Sequence, residues 1–557
     1  MTFEVRALEF NGRENVWKPA RVLAALDYMV RTGLNTFVLN DISIAERLVY
    51  PGRYFGSGEG DTNVHARYAR SFRALYEYMP GGRSRRYKDV EYVRWVIRRA
   101  TERDIDVYLN NKEIFFPDAI LELRPELRID GVVCPTHPFW GEFLSTKYTE
   151  LYQDLPGLTG MITSPATGES RVSIAHNHCP CDRCAAMSPS EWYEWIITSM
   201  YGPSAEYGKR LVVRDFVFDR RTQNDLAAAW KALPGDIVVC LKNTPHDYYP
   251  TFPHNPRISA DQGREQWVEF DSMGQYFGWG VAPAIIIDDT RRRFGHAAAN
   301  GVTGVLNRVD WEAQHGHSCF ETPNILNLYA FAALSLEAAT TDEDIFRAWL
   351  ADADAVAPGG DVERCVTWLT ATLGQSWPVV AGALYAHGCV FSDSSTFPVS
   401  VEHAFWLGEE KNSRRDWDPV AFDALASDPA NVRSLLAEKD DAVALVRRLR
   451  ARVESENPGL TVEFYDDLVE RFGVFELYIT GFWHAMRCAA LGRHLRDFGR
   501  DADPQLAGML DEVLRGTAEY CDRLDTHAVG DTYPACLLLS GQRLRALHDD
   551  VSRVAAG

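Results

Sequence analysis

The sequence predicts an α/β fold, a (β/α)8 barrel followed by an all-α region, and three observations carry that prediction. Eight β-branched, apolar runs alternate with helical or loop crossovers over about the first 310 residues, the pattern of parallel strands covered by helices. Polar and charged residues close nearly every one of these runs, as in barrels whose strand C-terminal ends converge on a functional face. After Thr322 the texture changes to Ala, Leu, Arg and Glu at three- and four-residue spacing, with almost no alternating run. An open doubly wound sheet is the competing architecture. Eight units suit closure better, and no G-x-G-x-x-G follows the first strand, which argues against a dinucleotide fold. The implied division is a barrel over residues 1–320 and a helical domain over 321–557.

Taken in order, FEVRALEF (3–10) alternates and opens the chain as a strand. Lys18–Thr32 has helical spacing and ends at Gly33 as a C-cap, before the buried strand NTFVLND (35–41). A long loop then runs to about residue 85; loops of this length tend to be functional or disordered. Helix Asp89–Arg103 precedes strand IDVYLNN (105–111), and helix Glu142–Leu155 precedes LTGMITS (158–164). Helix Glu191–Tyr207 precedes KRLVVRDF (209–216), and helix Asp225–Leu233 precedes DIVVCLK (236–242). QWVEF (266–270), helix Asp289–Asn300 and GVTGVLNRVDW (301–311) complete the eight. Helical runs at 323–338, 439–456, 461–497 and 504–525 follow, with breaks at Pro358–Gly360, Pro429 and Pro458.

With 557 residues and 46% hydrophobic content the chain can bury a large core and needs more than one domain. Its net charge of −20, without a Lys/Arg block, argues against a nucleic-acid partner, which needs a basic surface. Fifteen Trp suit sugar stacking and an ordinary core alike. The N-terminus lacks a basic n-region and an apolar h-region, and no apolar run is long enough to span a membrane, so neither export nor a membrane partner is expected. Most of the 11 Cys are scattered in apolar surroundings and read as reduced core thiols of a cytoplasmic protein. The exception is HNHCPCDRC (176–184). There Cys179, Cys181 and Cys184, with His178 or His176, have the spacing of a tetrahedral structural zinc site; a reduced Cys-rich loop is the alternative. No separate His/carboxylate set points to a catalytic metal, and no cofactor is required.

The densest chemistry lies in residues 236–289. One apolar run ends in Lys242, Asn243, His246 and Asp247, the next in Glu269, Asp271 and Gln275. Carboxylates at converging strand ends are candidates for acid/base work on a bound sugar. Asp247 sits in a crowded, Pro-flanked loop, where it could be a general base that activates water or an Asx-turn. Glu269 alternates inside a strand, and an inward Glu there is costly unless paired. Glu169, preceded by a Gly in SPATGESR, could be a general acid or a solvated loop residue. Arg214 and Arg308 close two further strands; Lys242, Arg214 or Arg308 could hold a substrate carboxylate, and Trp279, Trp311 and Tyr248 could stack on the ring.

These residues resemble a known family. PHDYYPTFPHNP is similar to the P-I-D-F-x-x-R-E-P-x-S-P segment of glycoside hydrolase family 67, the α-glucuronidases. QWVEFDSMGQYFGWGVAPAIII resembles that family's V-E-x-Q-C-Q-R-E-Y-E-G-K-G-x-x-P-N-Y-I segment, and LTGMITSPATGES corresponds in position to the segment with its catalytic acid. The resemblance covers roughly residues 155–311 and implies a (β/α)8 barrel followed by a helical domain, without the family's N-terminal β-domain. It implies Glu169 as general acid, Asp247 as base and Glu269 as the acid opening the second motif. Gln275 stands at the family's second base position and is not acidic, so Asp247 alone activates water, or Asp271 substitutes, or the substrate differs. The R-E-P of the first motif is replaced by Thr251-Phe252-Pro253. The expected activity is inverting hydrolysis of a glycoside or oligosaccharide with a terminal, acidic sugar, in a homodimer paired through the helical domain. The alternatives are a hexosaminidase-like or other enzyme on the same barrel, and a non-catalytic carbohydrate-binding barrel.

Overall fold

The structure, a computed structural model, describes residues 2–41, 44–49, 80–217, 219–259, 263–311, 317–391, 393–406, 423–527 and 538–556. Most of the long loop expected before residue 85 lies outside the described residues. Eight parallel strands close a barrel: β1 Val5–Phe10, β2 Thr36–Asn40, β3 Asp106–Lys112, β4 Gly160–Ser164, β5 Arg210–Arg214, β6 Val238–Lys242, β7 Gln266–Asp271 and β8 Gly304–Arg308. Each pairs with its neighbours in sequence, and β1 pairs with β8, Ala7 opposite Leu306 and Glu9 opposite Arg308.

The barrel axis is filled by a self-contained cluster of Ala7, Val38, Tyr108, Ile162, Val212, Val238, Cys240, Trp267 and Leu306. Tyr108 and Trp267 meet edge to face with centroids 5.4 Å apart. Two glycines make room for them. A Cβ on Gly304 would collide with the Trp267 indole, and one on Gly160 with the Arg210 carbonyl and the Tyr108 ring. Large and small residues thus interdigitate in a packed core, not a pore.

Helices cover the sheet. Helix α1, Pro19–Thr32, begins with Pro at its first position and ends at Gly33 in the left-handed region (φ 74°), as its sequence suggests. Helices α2 (Pro80–Thr101), α3 (Phe139–Asp154), α4 (Pro189–Glu206), α5 (Arg220–Ala229) and α6 (Ile287–Ala299) follow. Helix α4 is started by a capping box between Ser188 and Glu191. Helix α5 begins five residues before the expected Asp225, because Asp219 caps it by accepting from the Thr222 amide. Between β6 and β7 there is no helix among the described residues. This segment is held instead by the guanidinium of Arg293, on α6 and 2% exposed, which donates to the carbonyls of Asn243, Pro250, Phe252 and Pro253.

From Ile325 onward the described chain is helical, apart from a short hairpin pairing Tyr385–Ala386 with Cys389–Val390. The long elements are Pro429–Ser455, Val462–Phe498, Pro504–Thr526 and Gly541–Ala556. Pro429 does not break a helix; it starts one, at a position where its missing N–H costs nothing, with Asp428 as cap. No helix among the described residues is long and apolar enough to cross a membrane.

Candidate active site

One pleat above the apolar axis, every strand changes character. Two residues beyond Ala7, Val38, Tyr108, Ile162, Val212, Cys240, Trp267 and Leu306 come Glu9, Asn40, Asn110, Ser164, Arg214, Lys242, Glu269 and Arg308, all buried. A period of two keeps them on the same inward face. Several polar atoms of this layer and its rim have no partner among the described residues: Asn40 Oδ1, Asn110 Oδ1, Ser164 Oγ, Asp215 Oδ1, Asn243 Oδ1 and Arg308 Nε. A buried, unsatisfied polar group costs about 1–3 kcal/mol. Such groups accumulate where water or a ligand completes them.

Glu269 is the hub of this layer. It accepts from Arg214 through Nε and, at 2.7 Å, through Nη2; the Tyr248 hydroxyl donates to it at 2.7 Å, and Lys242 Nζ stands 3.9 Å away. Burial pushes its carboxyl up, but Arg214 reverses this, and with Lys242 and Tyr248 holds it down to about 2. Glu9, across the axis, is held by the amides of Asn40 (3.1 Å) and Asn110 (2.8 Å), and burial raises its carboxyl.

Asp247 lies on the loop after β6 that Arg293 braces. Lys242 Nζ contacts its Oδ1 at 3.0 Å and the Tyr276 hydroxyl donates to its Oδ2. Burial acts against its charge; Lys242, then His246 and Tyr276, hold it well below the usual carboxylate range. Its side chain is 12% exposed and its backbone sits in the left-handed region (φ 51°). Trp279, Ser394 and Ser395 share that conformation, so half of the non-glycine positive-φ residues described belong to the loops around this site. Backbone strain of this kind concentrates where a fold must aim particular groups. Lys242 completes the pair: its ammonium lies 3.7 Å from the Tyr248 ring centroid, and burial lowers its pKa despite both carboxylates.

The structure gives Asp271 a different part from that of an acid or base. It accepts from the backbone amides of Met273, Gly274 and Gln275 and from Arg308 Nη2 at 3.1 Å, so it shapes the loop after β7. Arg308 also donates to Gln275 Oε1 at 2.8 Å, and its guanidinium stacks 4.6 Å from the Tyr248 centroid. Gln275 therefore sits at the site as an acceptor for a cation. Trp279, expected as a sugar platform, is fully buried: its ring stacks on Trp311 and its N–H donates to the Ser394 carbonyl. Trp311 is only partly buried. His246 stacks on Tyr249, and Asn243 offers a free Oδ1 while its carbonyl receives Arg293.

Glu169 stands at the rim, its side chain 34% exposed, paired with Lys112 from the end of β3 and touched by the Thr167 hydroxyl at 3.4 Å. Its loop is laced to the segment after β3: Ser170 donates to the Glu113 carbonyl and Arg171 to the Phe116 carbonyl. Two other buried carboxyls are raised above the ordinary carboxylate range. Burial pushes Asp215 up to about 6 against Arg257 and Gln223, and Asp310 up to about 7 against Asn15 and Asn11.

Four contributors, Glu9, Tyr276, Ser394 and Ser395, escape the sequence reading. Glu9 looks like one polar residue of an alternating strand, although its parity with Ala7 was a usable signal. Tyr276 becomes a partner of Asp247 only through the turn that Asp271 builds. Ser394 and Ser395 reach the site from the helical region, where Ser395 exchanges hydrogen bonds with Gln275 and Gly278 and Tyr385 donates to the Tyr276 carbonyl. The Cys-rich loop also differs from expectation. His178 is exposed, and Cys179, Cys181 and Cys184 are joined by the distant Cys134, all four Sγ atoms lying within 4.8 Å of one another. None of the described cysteines forms a disulfide. A separate cleft of about 400 Å³ opens on the outer face of α1, where Arg31 pairs with Asp352 and Arg471 with Asp467; it lies outside the barrel interior.

No family model and no curated protein matches the chain by sequence. Among solved structures it is similar to a GH138 enzyme targeting pectin rhamnogalacturonan II, at TM-score 0.61 and 12% identity, over 94% of this chain and 62% of that one. The chain thus spans less than two thirds of that enzyme. Lesser likenesses are to an O-GlcNAc hydrolase of Thermobaculum terrenum (TM-score 0.42, 11% identity, 99% and 94% covered) and a GH20 exo-β-N-acetylglucosaminidase of Vibrio harveyi (TM-score 0.39, 11% identity, 63% and 58% covered). At these identities the likeness shows the fold, a barrel shared with glycoside hydrolases.

Proposed function

We propose that this chain is a glycoside hydrolase acting on a terminal acidic sugar, α-glucuronidase-like in its chemistry. The observation that carries the reading is the inward polar layer. Lys242, Arg214 and Arg308 are buried among ionised Glu269 and Asp247, with unsatisfied donors and acceptors beside them. A sugar hydroxyl set suits the free amide oxygens, and the unpartnered Arg308 Nε suits a substrate carboxylate. That the barrel resembles a glycoside hydrolase supports the class.

In this reading Asp247, ionised and backed by Lys242 and Tyr276, directs water to the anomeric carbon, and Glu169 at the rim protonates the leaving oxygen. Glu269 fixes Arg214, Tyr248 and Lys242 around the ring. Inversion requires carboxyl groups about 6.5–9.5 Å apart. A second assignment of the proton donor is favoured by one observation: Asp215 has a buried Oδ1 unpartnered among the described residues, and burial raises its carboxyl to about 6, so it protonates more readily than an ordinary carboxylate.

The test is turnover of a panel of aryl α- and β-glycosides, uronides included, by the intact chain and by Glu169→Gln and Asp215→Asn. Uronic acid release abolished by one variant identifies the donor. Turnover of neutral or amino sugars alone refutes the acidic substrate, and no turnover on any glycoside favours a binding barrel.

A further inference from the structure

The four-cysteine cluster lies outside the chemistry described above. Cys134 Sγ is 3.7 Å from both Cys181 Sγ and Cys184 Sγ. A disulfide needs about 2.05 Å, so these atoms are not poised as a bonded pair. Four thiolates around one zinc at about 2.3 Å in tetrahedral geometry stand about 3.8 Å apart, which is the spacing seen. The backbone holds them there independently. The Cys134 amide donates to the Leu127 carbonyl and its carbonyl receives Trp140 Nε1 at 2.9 Å, while Trp192 Nε1 anchors Pro135 at 2.8 Å. Cys181 opens the short helical turn Asp182–Ala186 that presents Cys184. The Thr136 hydroxyl lies 3.1 Å from Cys184 Sγ, as a donor to a metal-bound thiolate would.

We propose that Cys134, Cys179, Cys181 and Cys184 bind one structural zinc ion that staples the loop between β4 and α4 to the segment between β3 and α3. Four sulfur ligands leave no open coordination position, so the ion is structural and takes no part in hydrolysis. Ser170 and Arg171 tie the same loop to the end of β3 on its other side, so the staple closes the free half of the loop that carries Glu169. The assignment does not depend on the glycosidase reading.

The test is the metal content of the intact chain purified under reducing conditions, followed by exchange to cobalt. The expected result is about one zinc per chain and a cobalt form with strong thiolate charge-transfer bands and tetrahedral d–d bands. Cys134→Ser should lose most of the zinc and raise hydrogen exchange in residues 165–188, while Cys365→Ser, a buried cysteine elsewhere, should keep it. If Cys134→Ser does not fold, the zinc content and cobalt spectrum of the unaltered chain still decide. Metal-free protein with four titratable thiols, a disulfide among these cysteines, or iron in place of zinc would each overturn the proposal.

Discussion

The barrel interior is two regions built on the same eight strands. The lower is Ala7, Val38, Tyr108, Ile162, Val212, Cys240, Trp267 and Leu306; the upper, two residues later on each strand, is Glu9 to Arg308 without one apolar side chain. The lower layer removes hydrocarbon from water, which stabilises the fold by about 25 cal/mol per Å². The upper layer buries five ionisable side chains and leaves polar atoms unmatched, which a fold selected for stability alone would not do. One pleat separates what holds the barrel together from what it holds.

Substitutions can break this contrast. Glu269→Ala should have the largest effect, because it strands Arg214 as an uncompensated buried charge and takes from Lys242 one of its two carboxylates. The loss should be about 3–5 kcal/mol by denaturant unfolding, together with loss of turnover. The sign of its pH dependence follows from its depressed carboxyl. The stabilisation is complete above the ordinary value of 4.5 and is lost as pH falls through about 2, so unfolding from pH 5 to 2 should be flatter in Glu269→Gln. Trp267→Ala should cost about 3–5 kcal/mol of stability and leave KM near that of the unaltered chain below its melting point. A large rise in KM would show the layers to be coupled. Arg308→Gln should lower kcat/KM on a uronide by roughly 10- to 100-fold, about 1.4–2.7 kcal/mol, and much less on the matching neutral glycoside; equal losses would make Arg308 a loop support only. Ile162→Val should be smallest, at about 0.5–1.5 kcal/mol of stability with turnover unchanged.

The lower layer and the strand order were legible because each depends on local patterning: β-branched runs, helical spacing and caps such as Gly33. The polar strand ends were legible for the same reason. What was hidden depends on distant pairing. Helix α2 starts at Pro80 and not near Asp89, since GGRSRR has no apolar period to reveal it. Arg293, in α6, reads as one of three consecutive arginines, yet it holds the loop of Asp247. Cys134 lies alone in GVVCPTHP, 45 residues before the nearest of the cysteines it joins, so no spacing motif includes it. Asp271 was visible as an acid, but only the folded turn shows its oxygens committed to three amides and Arg308.

The most direct test of the division is Asp247→Asn, read for turnover of an aryl uronide and for melting temperature on the same sample. Asparagine keeps the shape and tolerates the left-handed backbone at this position, so only the charge changes. The predicted result is a fall in kcat of about 10²–10⁴ measured well below the melting temperature, with a melting temperature lowered by loss of the buried Lys242–Asp247 pair. Retained turnover in the folded variant, or activity lost only in proportion to the unfolded fraction, would contradict the assignment of the upper layer to catalysis.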